Sequence, residues 1–177
     1  FRTKKDQMQT PLDTDNALAL CRKWTLRAHG RQVVVVKKRR ERASHVLIKA
    51  FIWALYLPEY PDLKIEVGIG GRYTPDVVQL DQRGRPVFWG EAERVSLKKT
   101  RALVARFPST HLVFGKWAAP LAPLAKTLGA AVAKSRRKAP VDLIRFPAES
   151  AARFMDGDGR ITIDFANLEW RRFAPQS

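Results

Sequence analysis

Apolar residues along this chain follow two rhythms, short β-type runs and longer stretches of helical spacing. Residues 23–28 and 32–38 are strand-like, the second carrying four consecutive valines, and His29-Gly30 between them reads as a tight hairpin turn. Ala43, Val46, Leu47, Ala50, Phe51, Ala54 and Leu57 recur at three-four spacing. They predict a helix over 44–57 with one buried stripe, stopped by Pro58 and Pro61. Strands are expected at 63–69, 75–81 and 86–92, the last two joined by a turn around Gly84. A helix over 96–106, a strand at 111–114, an Ala/Leu-rich helix over 121–134 and a strand at 141–146 follow. One or two short strands close the chain at 161–165 and 168–173. Helices alternate with strands only in part of this order, so the expected class is α/β with a mixed sheet flanked by helices.

The length of 177 residues suits a single domain, placed at 22–174, with an extended N-terminal arm over 1–21 and a tail over 175–177. Hydrophobic residues make up 45% of the chain, enough for a packed core rather than a disordered tail. No apolar run approaches the roughly 20 residues that span a bilayer, and the best candidate, 46–57, is interrupted by Lys49. A membrane is therefore not expected as a partner. The lone Cys21 rules out an intramolecular disulfide or a cysteine-based zinc site and suits a reducing compartment. The sequence opens on Phe1 and a polar stretch, read as a trimmed or processed start.

Charge changes the picture most. Thirty-three Lys and Arg against seventeen Asp and Glu give a formal charge of +16, which attracts polyanions and makes nucleic acid the first partner to consider. The distribution is uneven. Residues 59–93 hold seven acids and four bases, so the excess lies elsewhere. Candidate phosphate-contacting residues fall in three clusters: Arg22, Lys23, Lys37, Lys38, Arg39 and Arg40; Arg94, Lys98, Lys99 and Arg101; and Lys134, Arg136, Arg137 and Lys138.

Inside the acidic stretch, Pro75-Asp76 is followed by Glu91 and Glu93, two apart on an expected strand. Alternation would place Glu91 and Glu93 on one face with Asp76 beside them on the neighbouring strand. Convergent carboxylates suit a hard divalent ion, and equally suit ion pairs with Arg72, Arg94 or Lys98. Glu41, His45 and Lys49 fall four apart and read as a solvated helix face with ordinary pairing, or as a border of the site. His111 reads as a packed or surface histidine, Gly68-Ile69-Gly70-Gly71 as a strand-to-strand turn, and 156–159 as a hairpin turn rather than a calcium loop.

The segments ERASHVLIKAFIWALYL (41–57), TPDVVQLDQRGRPVFWGE (74–91) and RVSLKKTRAL (94–103), with RITIDFANLEW near the end, resemble the PD-(D/E)XK nuclease superfamily, and within it the YaeQ-type families. The resemblance implies a restriction-endonuclease-like sheet. It places Asp76 and Glu91 at the metal-ligand positions, Glu41 at the acidic position of the first helix, and Glu93 where the superfamily carries a lysine. Lys98 or Lys99 would then have to supply the missing positive group. Two functions follow as expectations. One is a non-catalytic, RNA-favouring component of a ribonucleoprotein such as a mitochondrial ribosome, without a cofactor and located in the mitochondrial matrix. The other is a nuclease of DNA or RNA using Mg²⁺ or Mn²⁺ with Asp76, Glu91, Glu93, Lys98 and Lys99, located in the mitochondrion or a bacterial cytoplasm.

Overall fold

The helix expected over 44–57 forms the centre of the structure. The computed structural model describes residues 22–175; the N-terminal arm, Cys21 and the last two residues lie outside the described residues. Strands β1 (Arg22–Ala28) and β2 (Arg31–Lys37) form the hairpin, and helix α1 (Ala43–Tyr56) follows. Next come β3 (Lys64–Ile65), β4 (Val77–Leu80), β5 (Pro86–Ala92), α2 (Leu97–Arg106), β6 (His111–Trp117), α3 (Ala122–Ala133), β7 (Val141–Phe146), a short α4 (Ser150–Phe154) and β8 (Glu169–Phe173). The main sheet has six strands in the order β3-β4-β5-β6-β7-β8. β5, β6 and β7 run parallel, linked by α2 and α3, while the outer pairings are antiparallel, so the sheet is mixed as expected.

Two cores lie on opposite faces of this sheet. One joins α1 and the hairpin to Val77, Phe88, Ala92, Val113, Ile144 and Phe146. The other joins α2 and α3 to Trp89, Leu112, Phe114, Val141 and Leu143. Helix α1 differs from its expected single stripe, because every residue from Val46 to Tyr56 is buried. The hairpin covers the side that would otherwise face water, and a helix enclosed on both sides must be apolar all round. Gly115 on β6 allows this packing: a Cβ there would lie 2.5 Å from Ile48 Cγ2.

The remaining departures are local. The strand expected at 63–69 shrinks to two residues because Glu66 takes a left-handed backbone (φ 56) and turns the chain out of the sheet. Segment 161–165 makes only an isolated bridge at Ile161, and 165–167 is a 3-10 turn. Helix α4 was not read from the sequence, since five residues are too few to show a helical period. The hairpin turn is as expected, with His29 (φ 49) and Gly30 (φ 71) both left-handed, as a two-residue type I′ turn requires.

Candidate functional site: an acidic island rimmed by arginines

Asp76 immediately precedes β4, and Glu91 lies near the end of β5, its antiparallel neighbour. The Asp76 Oδ2 accepts the Ala92 backbone N–H at 2.8 Å, and its Oδ1 lies 3.4 Å from His45 Nε2. Burial alone would raise the Asp76 pKa, but His45 and the Ala92 amide outweigh it and hold the carboxyl below its ordinary value. Glu91 points to the opposite side of β5, where its Oε1 accepts the Trp89 indole N–H at 2.7 Å and its Oε2 accepts Lys99 Nζ at 2.6 Å. Glu91 is almost fully buried, and that desolvation lifts its pKa despite Lys99 and Trp89. Lys99 is held in place because Ser96 caps α2, its hydroxyl accepting the Lys99 N–H at 3.1 Å. Of the two lysines proposed to reach back toward the strands, Lys99 does so, whereas Lys98 is exposed and makes no such contact.

The expectation that Glu91 and Glu93 project together is corrected. Glu93 follows the last residue of β5 with a left-handed backbone (φ 59), which breaks the alternation. Its carboxylate accepts the Ser44 hydroxyl at the start of α1, and its backbone carbonyl accepts Lys116 Nζ from β6. The reading of Glu41, His45 and Lys49 as a solvated face is also corrected. Lys49 is fully buried, donating to Glu41 Oε1 at 2.5 Å and to Glu66 Oε1 at 2.6 Å. Burial would lower the Lys49 pKa, but the two carboxylates win and raise it. His45 bridges Asp76 and Glu41, and these acids overcome its burial to raise its pKa. Glu41 itself lies in the turn before α1 and also accepts the Lys38 backbone N–H at 2.8 Å.

The chain therefore answers each of these carboxylates with its own donors. A catalytic Mg²⁺ or Mn²⁺ needs several oxygen ligands converging on one point. Here Asp76 and Glu91 are engaged at both oxygens, on different sides of β5, and Glu93 is turned toward α1. Among the described residues no group of three or more His, Cys, Asp or Glu side chains is arranged to hold a metal. The residues as placed do not fit the metal that the nuclease resemblance implies, and no catalytic step is derived through one. One consequence is testable. Lys99→Met leaves Glu91 buried without a cation and, because Lys99 itself is partly exposed, is expected to cost about 2 kcal/mol at neutral pH. The loss should shrink as pH falls through the raised Glu91 pKa, and Lys99→Met/Glu91→Gln should recover most of it in urea unfolding.

Beside the acidic island, the turn between β2 and α1 and the end of β5 enclose a cleft of ≈ 520 Å³ lined by Lys38, Arg39, Arg40, Arg42 and Arg94, with His45 and Glu93 among its other lining residues. Arg39, Arg40, Arg42 and Arg94 are exposed and make no ion pair among the described residues. Lys38 is exposed and lies 3.5 Å from Glu66. Arg42 was missed from the sequence, although it closes the same basic run, because Glu41 interrupts the charge pattern.

Three of the expected phosphate contacts are corrected. Lys37, the last residue of β2, is fully buried. Lys99 is engaged by Glu91. Arg137 is 3% exposed and donates to the carbonyls of Val104, Phe107, Thr110 and Ala139, closing the C-terminal end of α2. Burial lowers its pKa to about 10, which leaves it charged at neutral pH. Arg22, Lys23, Lys98, Arg101, Lys134, Arg136 and Lys138 are exposed.

A buried polar network on the sheet was also missed. Asp142, with no exposed surface, accepts Tyr56 Oη at 2.6 Å, His111 Nε2 at 2.8 Å and two nitrogens of Arg172 at 2.8 and 2.7 Å. The Asp142 carboxylate can only accept, which assigns a proton to His111 Nε2, and Tyr60 Oη lies 3.0 Å from His111 Nδ1. His111 is thus packed, as expected, but with specific partners. An acid inside the apolar run of β7 was the available sequence signal.

These features define a single mixed α/β domain with a hairpin-covered helix on one face of the sheet, a fold that matches YaeQ structures. Among solved structures, the YaeQ protein from Xanthomonas axonopodis pv. citri superposes with a TM-score of 0.53 at 14% identity, covering 76% of this chain and 77% of that one. The YaeQ protein from Pseudomonas syringae gives a TM-score of 0.56 at 14% identity, covering 82% of each chain. At that identity the likeness establishes the fold alone. No family model matches the sequence, and no curated protein does.

Proposed function

We propose that this chain is a nucleic-acid-binding protein, favouring RNA, that uses a PD-(D/E)XK nuclease-like fold as a non-catalytic scaffold within a ribonucleoprotein. The observation that carries this reading is the contrast across the site. The carboxylates at the nuclease positions are held by donors of the same chain, while the rim arginines Arg39, Arg40, Arg42 and Arg94 have no acidic partner among the described residues. Unpaired guanidinium groups around an open cleft suit phosphate, which they can grip bidentately. The superfamily assignment is supported by Asp76 at the entry to β4 and Glu91 on the neighbouring β5, with a helix-borne lysine beside Glu91. RNA is favoured because exposed basic residues spread over several surfaces, as suits a protein set into folded RNA.

The second reading, a metal-dependent nuclease, is favoured by one contact, the 2.6 Å approach of Lys99 to Glu91. It requires the existing ion pairs to give way to a cation. Fluorescence anisotropy with single-stranded RNA tests the binding reading. Affinity should fall linearly in log units as salt rises, by about 0.7 log unit per log unit of salt for each phosphate neutralised. Binding that is absent at low salt would reject it.

A further inference from the structure

The longest acid-free stretch of the chain lies on the face of the sheet away from the hairpin. Between Glu93 and Asp142 there is no Asp or Glu, while residues 94–141 carry eleven Lys and Arg. Lys99, Lys116 and Arg137 are engaged inside the protein. Arg94 opens on the cleft already described. The other seven, Lys98, Arg101, Arg106, Lys126, Lys134, Arg136 and Lys138, are all exposed and make no ion pair among the described residues.

Where acids are near in sequence or on the adjacent strand, surface arginines are paired, as Arg85 is with Asp81, Arg145 with Glu169, and Arg153 with Glu149. Helices α2 and α3 contain no acid at all, so neither can form the i,i+4 ion pairs that normally steady an exposed helix. Lys98 and Arg101, one helical turn apart, instead repel each other. A bound polyanion relieves this repulsion. Between the helices runs a groove of ≈ 320 Å³ with Arg101 and Lys134 among its lining residues and Ala105, Ala130 and Ala131 leaving room for close approach. A lipid surface is disfavoured, because Leu97 is the one large exposed apolar side chain on α2 or α3.

We infer that the α2–α3 layer is a second nucleic-acid-binding surface, on the opposite side of the sheet from the arginine-rimmed cleft, so that one molecule holds two strand segments at once. The inference rests on the nucleic-acid reading of the cleft and extends it from binding to bridging. Phosphates would lie along the α2–α3 groove, between Arg101 and Lys134, with Arg136 and Lys138 at its end.

Native mass spectrometry of the full chain with a single-stranded RNA of about ten nucleotides, a length within the range one such surface spans, tests this. Wild-type protein is expected to take up two oligonucleotides per chain. Förster transfer should appear between donor- and acceptor-labelled oligonucleotides held on the same molecule. Arg101→Gln/Lys134→Gln/Arg136→Gln/Lys138→Gln should reduce uptake to one and abolish the transfer, and Arg39→Gln/Arg40→Gln/Arg42→Gln/Arg94→Gln should do the same from the other side. Uptake of one oligonucleotide by wild type, with the α2–α3 variant unchanged, would overturn the second surface and leave the cleft reading intact. No uptake by wild type would overturn both. Displacement from the α2–α3 layer by polyglutamate and not by competitor RNA would assign it to an acidic protein and also overturn the inference.

Discussion

Replacing Arg39, Arg40, Arg42 and Arg94 together with glutamine is expected to weaken the cleft's affinity for single-stranded RNA by on the order of 10²–10³-fold near 0.1 M salt. The four guanidinium groups line one cleft and have no acidic partner among the described residues, which leaves their charge to phosphate. Each phosphate contact to a single strand contributes about 0.7 to the slope of log affinity against log salt, so losing four should flatten that slope by roughly 3. Anisotropy titrations in a background also carrying Arg101→Gln and Lys134→Gln isolate the cleft from the α2–α3 layer. Fold stability should hardly change, since all four side chains are exposed and away from the core. Loss of affinity with an unchanged salt slope would mean that the arginines act on structure and not on phosphate.

Asp142→Asn is expected to cost about 3–5 kcal/mol of folding stability, as removal of a buried charge partner generally does. The carboxylate accepts from Tyr56, His111 and twice from Arg172. An amide cannot accept at both ends, so one of those donors would face an NH₂ group in a site with no water access. A pH dependence follows. Burial would raise the Asp142 pKa, but Arg172, His111 and Tyr56 bring it from 3.8 to about 2. A depressed carboxylate stabilises the fold above its unfolded pKa, and that contribution is lost as pH falls through the folded value. Wild type should therefore lose about 2 kcal/mol from this group between about pH 4 and pH 2, and Asp142→Asn should lack that part of the acid slope. Urea unfolding at a series of pH values reads both effects. An equal slope in the two proteins would place the acid sensitivity elsewhere.

The element order was legible because most elements carry their own periodicity, and β7 and the hairpin turn agree closely with it. What failed to read correctly depends on contacts far apart in sequence. Lys49 looked solvated because nothing local reveals that the hairpin would cover α1. Arg137 sat in a run of basic residues and gave no sign that its guanidinium would close the end of α2, thirty residues earlier. Glu93 was misplaced because strand alternation holds only while the backbone stays extended, and its left-handed φ ends it. Asp76 and Glu91, by contrast, were marked out by the family resemblance, which left Lys98 and Lys99 as alternatives, and the structure brings Lys99 onto Glu91. The resemblance identified these residues, but not that both oxygens of each carboxylate would already face donors of the same chain.

The central claim is that the cleft binds nucleic acid while the neighbouring carboxylates do no chemistry. The most direct measurement incubates the purified chain with labelled single- and double-stranded RNA and DNA in Mg²⁺ or Mn²⁺, beside Asp76→Asn and Glu91→Gln. Salt-sensitive binding, stronger for RNA, is expected, with every substrate recovered intact in all three proteins. Cleavage by wild type that disappears in both variants would contradict it.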